Sequence, residues 1–255
     1  MIGAGRVASH LAPALSACGH RIIQVYSRTL ESARTLAEKT GSSATNCLAE
    51  LNPEADLYLV SISDAVLSDL LPTVATVNPH ALFVHTAGSV PMSIWEGLAD
   101  RYGVLYPMQT FSKERKVDFH QVSFFIEAYK PEDVLLLKEL ASDLSPMVYE
   151  ATSEQRKFLH IGAVFACNFT NHLYAVCEEL LSKHGLPFTA MLPLIDETAR
   201  KVHELSPRIA QTGPASRRDR NILDSHLQLL ETEAPDLTDI YRLLSEHIQS
   251  YLPEK

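Results

Sequence analysis

A glycine-rich turn, Gly3-Ala4-Gly5-Arg6-Val7-Ala8, follows only Met1-Ile2 and leads directly into a helix-like run. Small residues at its first, third and sixth positions match the fingerprint of a dinucleotide-binding βαβ unit. The first lets a strand turn tightly into a helix, the second lets backbone amides approach a pyrophosphate, and the third lets helix and strand pack closely. Amides at the helix start then hold the anion without a charged side chain. Gly3, Ala4, Gly5, Arg6 and Val7 are therefore the candidate phosphate cradle. A buried strand before such a turn needs about five residues. With only two in place, the reading favours a start lying upstream over a stunted central strand.

A lone match of this kind is weak, so the downstream pattern must support it. Short apolar runs at Arg21 to Tyr26, Asp56 to Ile62, Ala81 to His85, Gly103 to Tyr106 and Val122 to Ala128 read as strands. Helical stretches fall between them, at Thr29 to Lys39 and from Asp64 to Leu71, where Pro72 is expected to stop the helix. Alternation at this rhythm predicts an α/β fold, a Rossmann-like doubly wound parallel sheet. After about Tyr149 the period becomes helical throughout. The expected organisation is a nucleotide-binding domain over 1–150 and a C-terminal all-α domain over 151–255, the latter for dimerisation and substrate.

Composition narrows the partners. The chain has 255 residues, 46% of them hydrophobic, and a formal net charge of −9. That charge disfavours nucleic acid or an anionic membrane as a main partner, leaving a small-molecule substrate whose anionic groups are captured locally. No apolar run is long enough for a membrane span. Cys18, Cys47, Cys167 and Cys177 show no metal-ligand spacing, so no metal is expected. They read as buried thiols of a cytoplasmic protein.

The end of the second strand discriminates between cofactors. An NAD site places an acid about 20 residues past the glycines, on the ribose 2′-hydroxyl. Here Tyr26 is followed by Ser27, Arg28 and Thr29, and no acid occurs until Glu31. Two hydroxyls and a forked guanidinium suit a 2′-phosphate, which points to NADP (NADPH). Ser27 capping the next helix, with Arg28 in solvent, is the plainer alternative. Ligands of open α/β sheets sit outside the carboxyl ends of strands. Ser61, Ser63, His85, Ala87 and Gly88 are therefore candidate cofactor contacts, and Met108 and Gln109 candidate substrate contacts. Ser63 and Asp64 can equally cap a helix, and a strand-end His85 is more often structural.

In the helical half, one long helix is expected from Ser153 through Leu181. At 100° per residue, His160 and Asn171 lie within roughly 20° of each other and Asn168 roughly 80° away. Polar groups on an otherwise apolar helix pair across an interface or face a wet cleft. His160 and Asn168 are the candidate catalytic residues, with Asn171 and His172 less favoured. An imidazole titrates near pH 6.5, which suits His160 to acid/base work. Gly213-Pro214 reads as a turn into a second helix. Gln211, Thr212, Gly213 and Arg217 there are candidates for the anionic end of a substrate, or simply a capped helix with solvated arginines.

Taken in order, six segments carry a resemblance. They are the Gly3–Ala8 turn, Tyr26 to Thr29, His85 to Ser89, Tyr106 to Phe111, the His160–Asn168 helix and Gln211 to Ala215. Over essentially the whole chain they resemble an uncharacterised Rossmann-like family of Bacteroides-type bacteria, provisionally assigned as NADP oxidoreductases, whose C-terminal helical domain has no known function. More distantly, the layout is similar to pyrroline-5-carboxylate reductases and to 6-phosphogluconate and 3-hydroxyacid dehydrogenases. The resemblance implies an NADP(H)-dependent oxidoreductase acting on a small anionic carbonyl, imine or hydroxy compound. It also implies a homodimer formed through the helical domain. A non-catalytic NADP-binding sensor or scaffold is the alternative.

Overall fold

The computed structural model describes residues 1–112 and 114–251. The chain divides into two compact units, Met1–Phe169 and the remainder from Thr170. In the first unit the order is α1 (Ala8–Ala17), β1 (Gln24–Tyr26), α2 (Leu30–Thr40), β2 (Ser43–Thr45), β3 (Leu57–Val60), α3 (Asp64–Ala75), β4 (Leu82–His85) and β5 (Tyr102–Met108). β6 (Ser123–Ala128), α4 (Pro131–Ser142), β7 (Val148–Glu150) and α5 (Ser153–Ala163) complete it. β1 pairs with β2, and β3 to β7 form a five-stranded sheet in sequence order.

A single residue joins these two sheets. Ile2 makes parallel bridges to both Tyr26 and Val60. Its N–H donates to the Leu59 carbonyl at 2.8 Å, and its own carbonyl accepts from Ser61 N–H at 2.7 Å. Within the given residues Ile2 holds the central position, fully buried between its neighbours. The Rossmann-like sheet is parallel as expected except at one pair. β6 runs antiparallel to β5, in register from Gly103↔Ala128 to Met108↔Ser123. Among the described residues between β5 and β6 there is no α-helical crossover of the kind a parallel pair needs.

Burial explains why the elements form where they do. One face of the sheet packs Leu59, Val84, Leu105, Phe124 and Ile126 with α1 and α4, and the other packs Tyr58, Val60 and Phe83 with α3 and Trp95. Each such side chain contributes about 1.5–3 kcal/mol of burial. Ala8, the small sixth residue of the glycine turn, is wholly buried with Ala12, Val25 and Ala33. α3 does not stop at Pro72 but runs on to Ala75. Pro72 cannot donate to the carbonyl one turn back, and burial of Leu71, Val74 and Ala75 offsets that loss. The cysteines are not buried: Cys18, Cys47 and Cys167 are exposed and Cys177 partly so, all unpaired.

α5 stays with the sheet although the last strand ends at Glu150. Its start is fixed by a capping box, in which Thr152 accepts from the Gln155 N–H and Gln155 Oε1 accepts from the Thr152 N–H. One turn on, Arg156 is fully buried. It donates to Glu127 Oε2 at 3.3 Å and to the Val90 carbonyl at 2.6 Å. Ser153 Oγ donates to Glu127 at 2.6 Å and accepts from Met92 N–H at 2.8 Å. This network ties α5, β6 and the segment after β4 together.

The expected continuous helix is interrupted. Val164–Phe169 is a π-helical segment between α5 and α6 (Thr170–Lys183). Its wider turns add residues per revolution, so a 100° count does not carry past Val164 to Asn168, Asn171 or His172.

The second unit continues from α6 with α7 (Leu192–Glu204), α8 (Pro207–Ala210), α9 (Pro214–Arg217), α10 (Arg220–Glu233) and α11 (Thr238–Tyr251). Of its own described residues only Ala215, Leu223, Ala234 and Thr238 are buried, whereas Leu194, Ile209, Leu229 and Leu243 are each at least 60% exposed. No described helix is long and apolar enough to cross a membrane.

Removing one partner of a buried ion pair leaves an uncompensated charge. Glu127→Gln should therefore lower the unfolding free energy by about 3 kcal/mol in urea titration. The double variant Glu127→Gln/Arg156→Met should recover most of that loss.

Candidate functional site

At the carboxyl edge of the sheet lies a cleft of about 780 Å³. Its floor is the glycine turn. Gly3 leaves the strand at φ +106°, and a Cβ there would sit 2.1 Å from the Ser61 carbonyl oxygen. Only glycine fits that crossing. The chain then enters α1 through Val7, which has no side-chain cap, and the Gly5, Arg6 and Val7 amides have no backbone acceptor among the described residues. Unsatisfied donors at a helix start are the arrangement that can hold an anion.

Ser27, Arg28 and Thr29 follow β1 along the same cleft. Thr29, not Ser27, precedes α2, and its hydroxyl donates to Ser32 Oγ at 2.8 Å. Ser61, Ser63, Ala87 and Gly88 also line the cleft. Ser63 precedes α3 without capping it. Asp64 instead accepts from Ser89 Oγ at 2.5 Å, which ties the segment after β4 to the start of α3.

His85 does not belong to this group. Its side chain is fully buried and lies outside the cleft lining. Nδ1 accepts from the Ala87 N–H at 3.2 Å. Burial pushes the imidazole down to about 3, the Arg156 charge adds to the fall, and the Pro91 carbonyl opposes it. His85 is a neutral structural residue because β4 is interior on both sides.

His160 stands at the far end of the cleft. Its Nδ1 is 3.3 Å from the Tyr106 hydroxyl. A Cβ on Gly88 would come within 2.7 Å of the Tyr106 ring and 3.0 Å of His160 Nδ1, so the missing side chain at 88 makes room for this pair. Burial raises the Tyr106 phenol above its ordinary value, with the Arg156 charge opposing and Asp64 and Cys167 adding to it. Tyr106 is thus a phenol at neutral pH, able to donate to Nδ1 and leave Nε2 carrying the imidazole proton. The residue pattern pointed to the carboxyl end of β5, Tyr106 to Thr110, but gave Tyr106 itself no role. It meets His160 from 54 positions away, and no local spacing signals that.

A second cleft, of about 850 Å³, opens on the other side of the pair. Met108, Gln109, His160 and Asn168 line it together with Tyr106, Phe125 and Phe158. His160 lines both clefts. Gln211, Thr212, Gly213 and Arg217 lie in the second unit. There α9 is a single turn ending at Arg218 in the left-handed region, and Gln211 donates to the Thr212 carbonyl at 2.9 Å. Gly213 does turn into a helix with Pro214 in its first turn, as the sequence predicts, but α9 spans only four residues and so aligns few peptide dipoles.

A glycine turn at the switch point of such a sheet defines a Rossmann-like dinucleotide-binding fold. Comparison with known proteins agrees. Residues 1–88 match the family described as NADP oxidoreductase coenzyme F420-dependent, and residues 122–248 match a domain of unknown function, DUF2520. The crystal structure of BF3122 from Bacteroides fragilis, a protein carrying the provisional name NADP oxidoreductase, is 57% identical, with 98% of this chain and 96% of that one covered and a TM-score of 0.91. The chain belongs to the same family as that protein. An imine reductase from Myxococcus stipitatus in complex with NADP+ shares the fold at 18% identity, TM-score 0.69, covering 98% of this chain and 90% of that one. A pyrroline-5-carboxylate reductase from Coxiella burnetii does so at 14% and 0.61, covering 99% and 97%. No curated protein sequence matches.

His85 yields a pH prediction. The unfolded chain binds a proton at this residue below about pH 6.5, whereas the native state refuses it down to about 3. Its contribution to stability is therefore complete above pH 6.5 and is lost as pH falls towards 3. Between pH 7 and pH 5 the wild type should lose about 2 kcal/mol more than His85→Asn in urea titrations.

Proposed function

We propose that this chain is an NADP(H)-dependent oxidoreductase acting on a small carbonyl, imine or hydroxy compound. The observation that carries the reading is the position of His160, which lines both the cleft floored by the glycine turn and the second cleft. A nucleotide in the first and a reactant in the second would meet at that side chain. The free amides of Gly5, Arg6 and Val7 suit the pyrophosphate. Ser27, Arg28 and Thr29 suit a 2′-phosphate, Arg28 offering a fork of donors. Ser61, Ser63, Ala87 and Gly88 would border the ribose and ring at the nicotinamide end.

When bound, NADPH supplies a hydride. The residues of this chain orient the reactant, exclude water and manage the proton. In the reducing direction the heteroatom of the reactant gains the electron pair and takes the Nε2 proton of protonated His160, which is left as a neutral imidazole with Nδ1 still hydrogen-bonded to the Tyr106 hydroxyl. Asn168 and Gln109 would orient the reactant, and Met108 would shape the wall. An anionic group at Gln211, Thr212, Gly213 and Arg217 would draw little from the dipole of the single-turn α9. A paired histidine and tyrosine between two clefts favours an enzyme over a sensor, which has no use for a proton donor. The exposed apolar residues of the helical unit support a homodimer formed through it, Leu194, Ile209, Leu229 and Leu243 among them. The unpaired thiols suit the cytoplasm.

NADPH at one hundred times its dissociation constant should raise stability by about 2.7 kcal/mol in a thermal-shift assay, and NADH by less. Arg28→Asp should reverse that order. Equal response to both nucleotides before and after the change would remove the 2′-phosphate assignment. His160→Gln should bind NADPH as the wild type does and lower turnover about a hundredfold. An unchanged rate and pH profile would remove the acid/base role.

A further inference from the structure

The second cleft has an electrostatic character that the proposed function does not use. No lysine or arginine lines it among the described residues, and Glu150 is its one carboxylate. Phe125, Phe158, Leu159 and Val164 supply apolar wall, and Gln109 and Asn168 supply neutral amides. The nearest buried cation, Arg156, is already paired with Glu127 at 3.3 Å. Tyr106, whose hydroxyl lies 3.3 Å from His160 Nδ1, adds a neutral phenol to the lining. An anion placed here would lose hydration, meet no lysine or arginine among the described lining residues, and stand near the exposed Glu150 carboxylate, which Lys138 approaches at 3.8 Å. A neutral or cationic group would not suffer this.

We infer that the cleft beyond the Tyr106–His160 pair is the reactant pocket, and that it takes an uncharged or cationic, largely apolar carbonyl compound or amine and excludes carboxylate substrates. The inference rests on the oxidoreductase reading. Continuity through His160 assigns the cleft to a reactant, and its lining chemistry sets the class. A volume of about 850 Å³ also exceeds what a three- or four-carbon acid fills.

The test uses the whole protein saturated with NADP+ and three probes of similar size and different charge. These are phenylacetone (neutral), 2-phenylethylamine (cationic) and phenylpyruvate (anionic), with affinities read by calorimetry or ligand-observed NMR. Phenylacetone and 2-phenylethylamine should each bind at least about tenfold more tightly than phenylpyruvate, a difference of about 1.4 kcal/mol. Glu150→Lys, at an exposed position that folding tolerates, should narrow that gap about threefold or more. Phe158→Ser, also exposed, should weaken phenylacetone about fivefold without changing NADP+ affinity.

Equal or tighter binding of phenylpyruvate would overturn the inference. So would a charge order indifferent to Glu150→Lys. Dissociation of an oligomer by Phe158→Ser, with no probe bound, would assign the cleft to contact between copies and overturn it as well. Failure of the wild type to bind NADP+ at all is a separate outcome, and it would remove the oxidoreductase reading itself.

Discussion

Ile2 donates to Leu59 and accepts from Ser61, and Gly3 then turns away at φ +106° while its N–H still reaches the Tyr26 carbonyl at 2.8 Å. The rest of the first unit depends on this crossing. It joins β1–β2 to β3–β7 and places the turn between two strand ends. It also aims the free amides of the α1 entry outwards. A side chain at position 3 would collide with the Ser61 carbonyl, so the backbone path and the anion site are one constraint. Ala8 extends that constraint inwards, because its small side chain lets α1 settle against β1 and α2.

A second constraint carries the chemistry to that site. The buried Arg156 has three anchors, Glu127 on β6, the Val90 carbonyl and Ser153 Oγ. Such a cluster costs desolvation and returns orientation. It fixes α5 one turn before His160, so the imidazole meets Tyr106 over the gap left by Gly88. The same guanidinium opposes the rise that burial imposes on the Tyr106 phenol and adds to the fall it imposes on His85. Burial dominates both shifts, and the one buried cation tempers the first and reinforces the second.

The parts of this fold that were legible in the sequence are those where local chemistry decides. The Gly3–Ala8 turn and the apolar runs that became β3, β4 and β6 declare themselves by composition and period. β2 and β7 have three residues each, too few to show a period. The direction of β6 depends on how a connection returns, which no residue pattern encodes. Pro72 misleads because a lost hydrogen bond is outweighed by buried neighbours that only the packed helix reveals. The π segment at Val164–Phe169 alters a helical count that assumes one geometry throughout. His85 has the right residue type at a strand end, but the strand is interior. Tyr106 was hidden for the converse reason, since its partner comes from a distant helix. Short-range features of the candidate site were thus readable, and pairings across the fold were not.

The central claim is that the glycine turn grips a dinucleotide whose reactive end reaches His160. A crystal structure of the protein grown with NADP+ tests it most directly. The account predicts diphosphate oxygens on the Gly5, Arg6 and Val7 amides, the 2′-phosphate beside Ser27 and Arg28, and the nicotinamide ring against Gly88 and His160. Nucleotide bound elsewhere, or a cleft left without it at saturating concentration, would contradict the account.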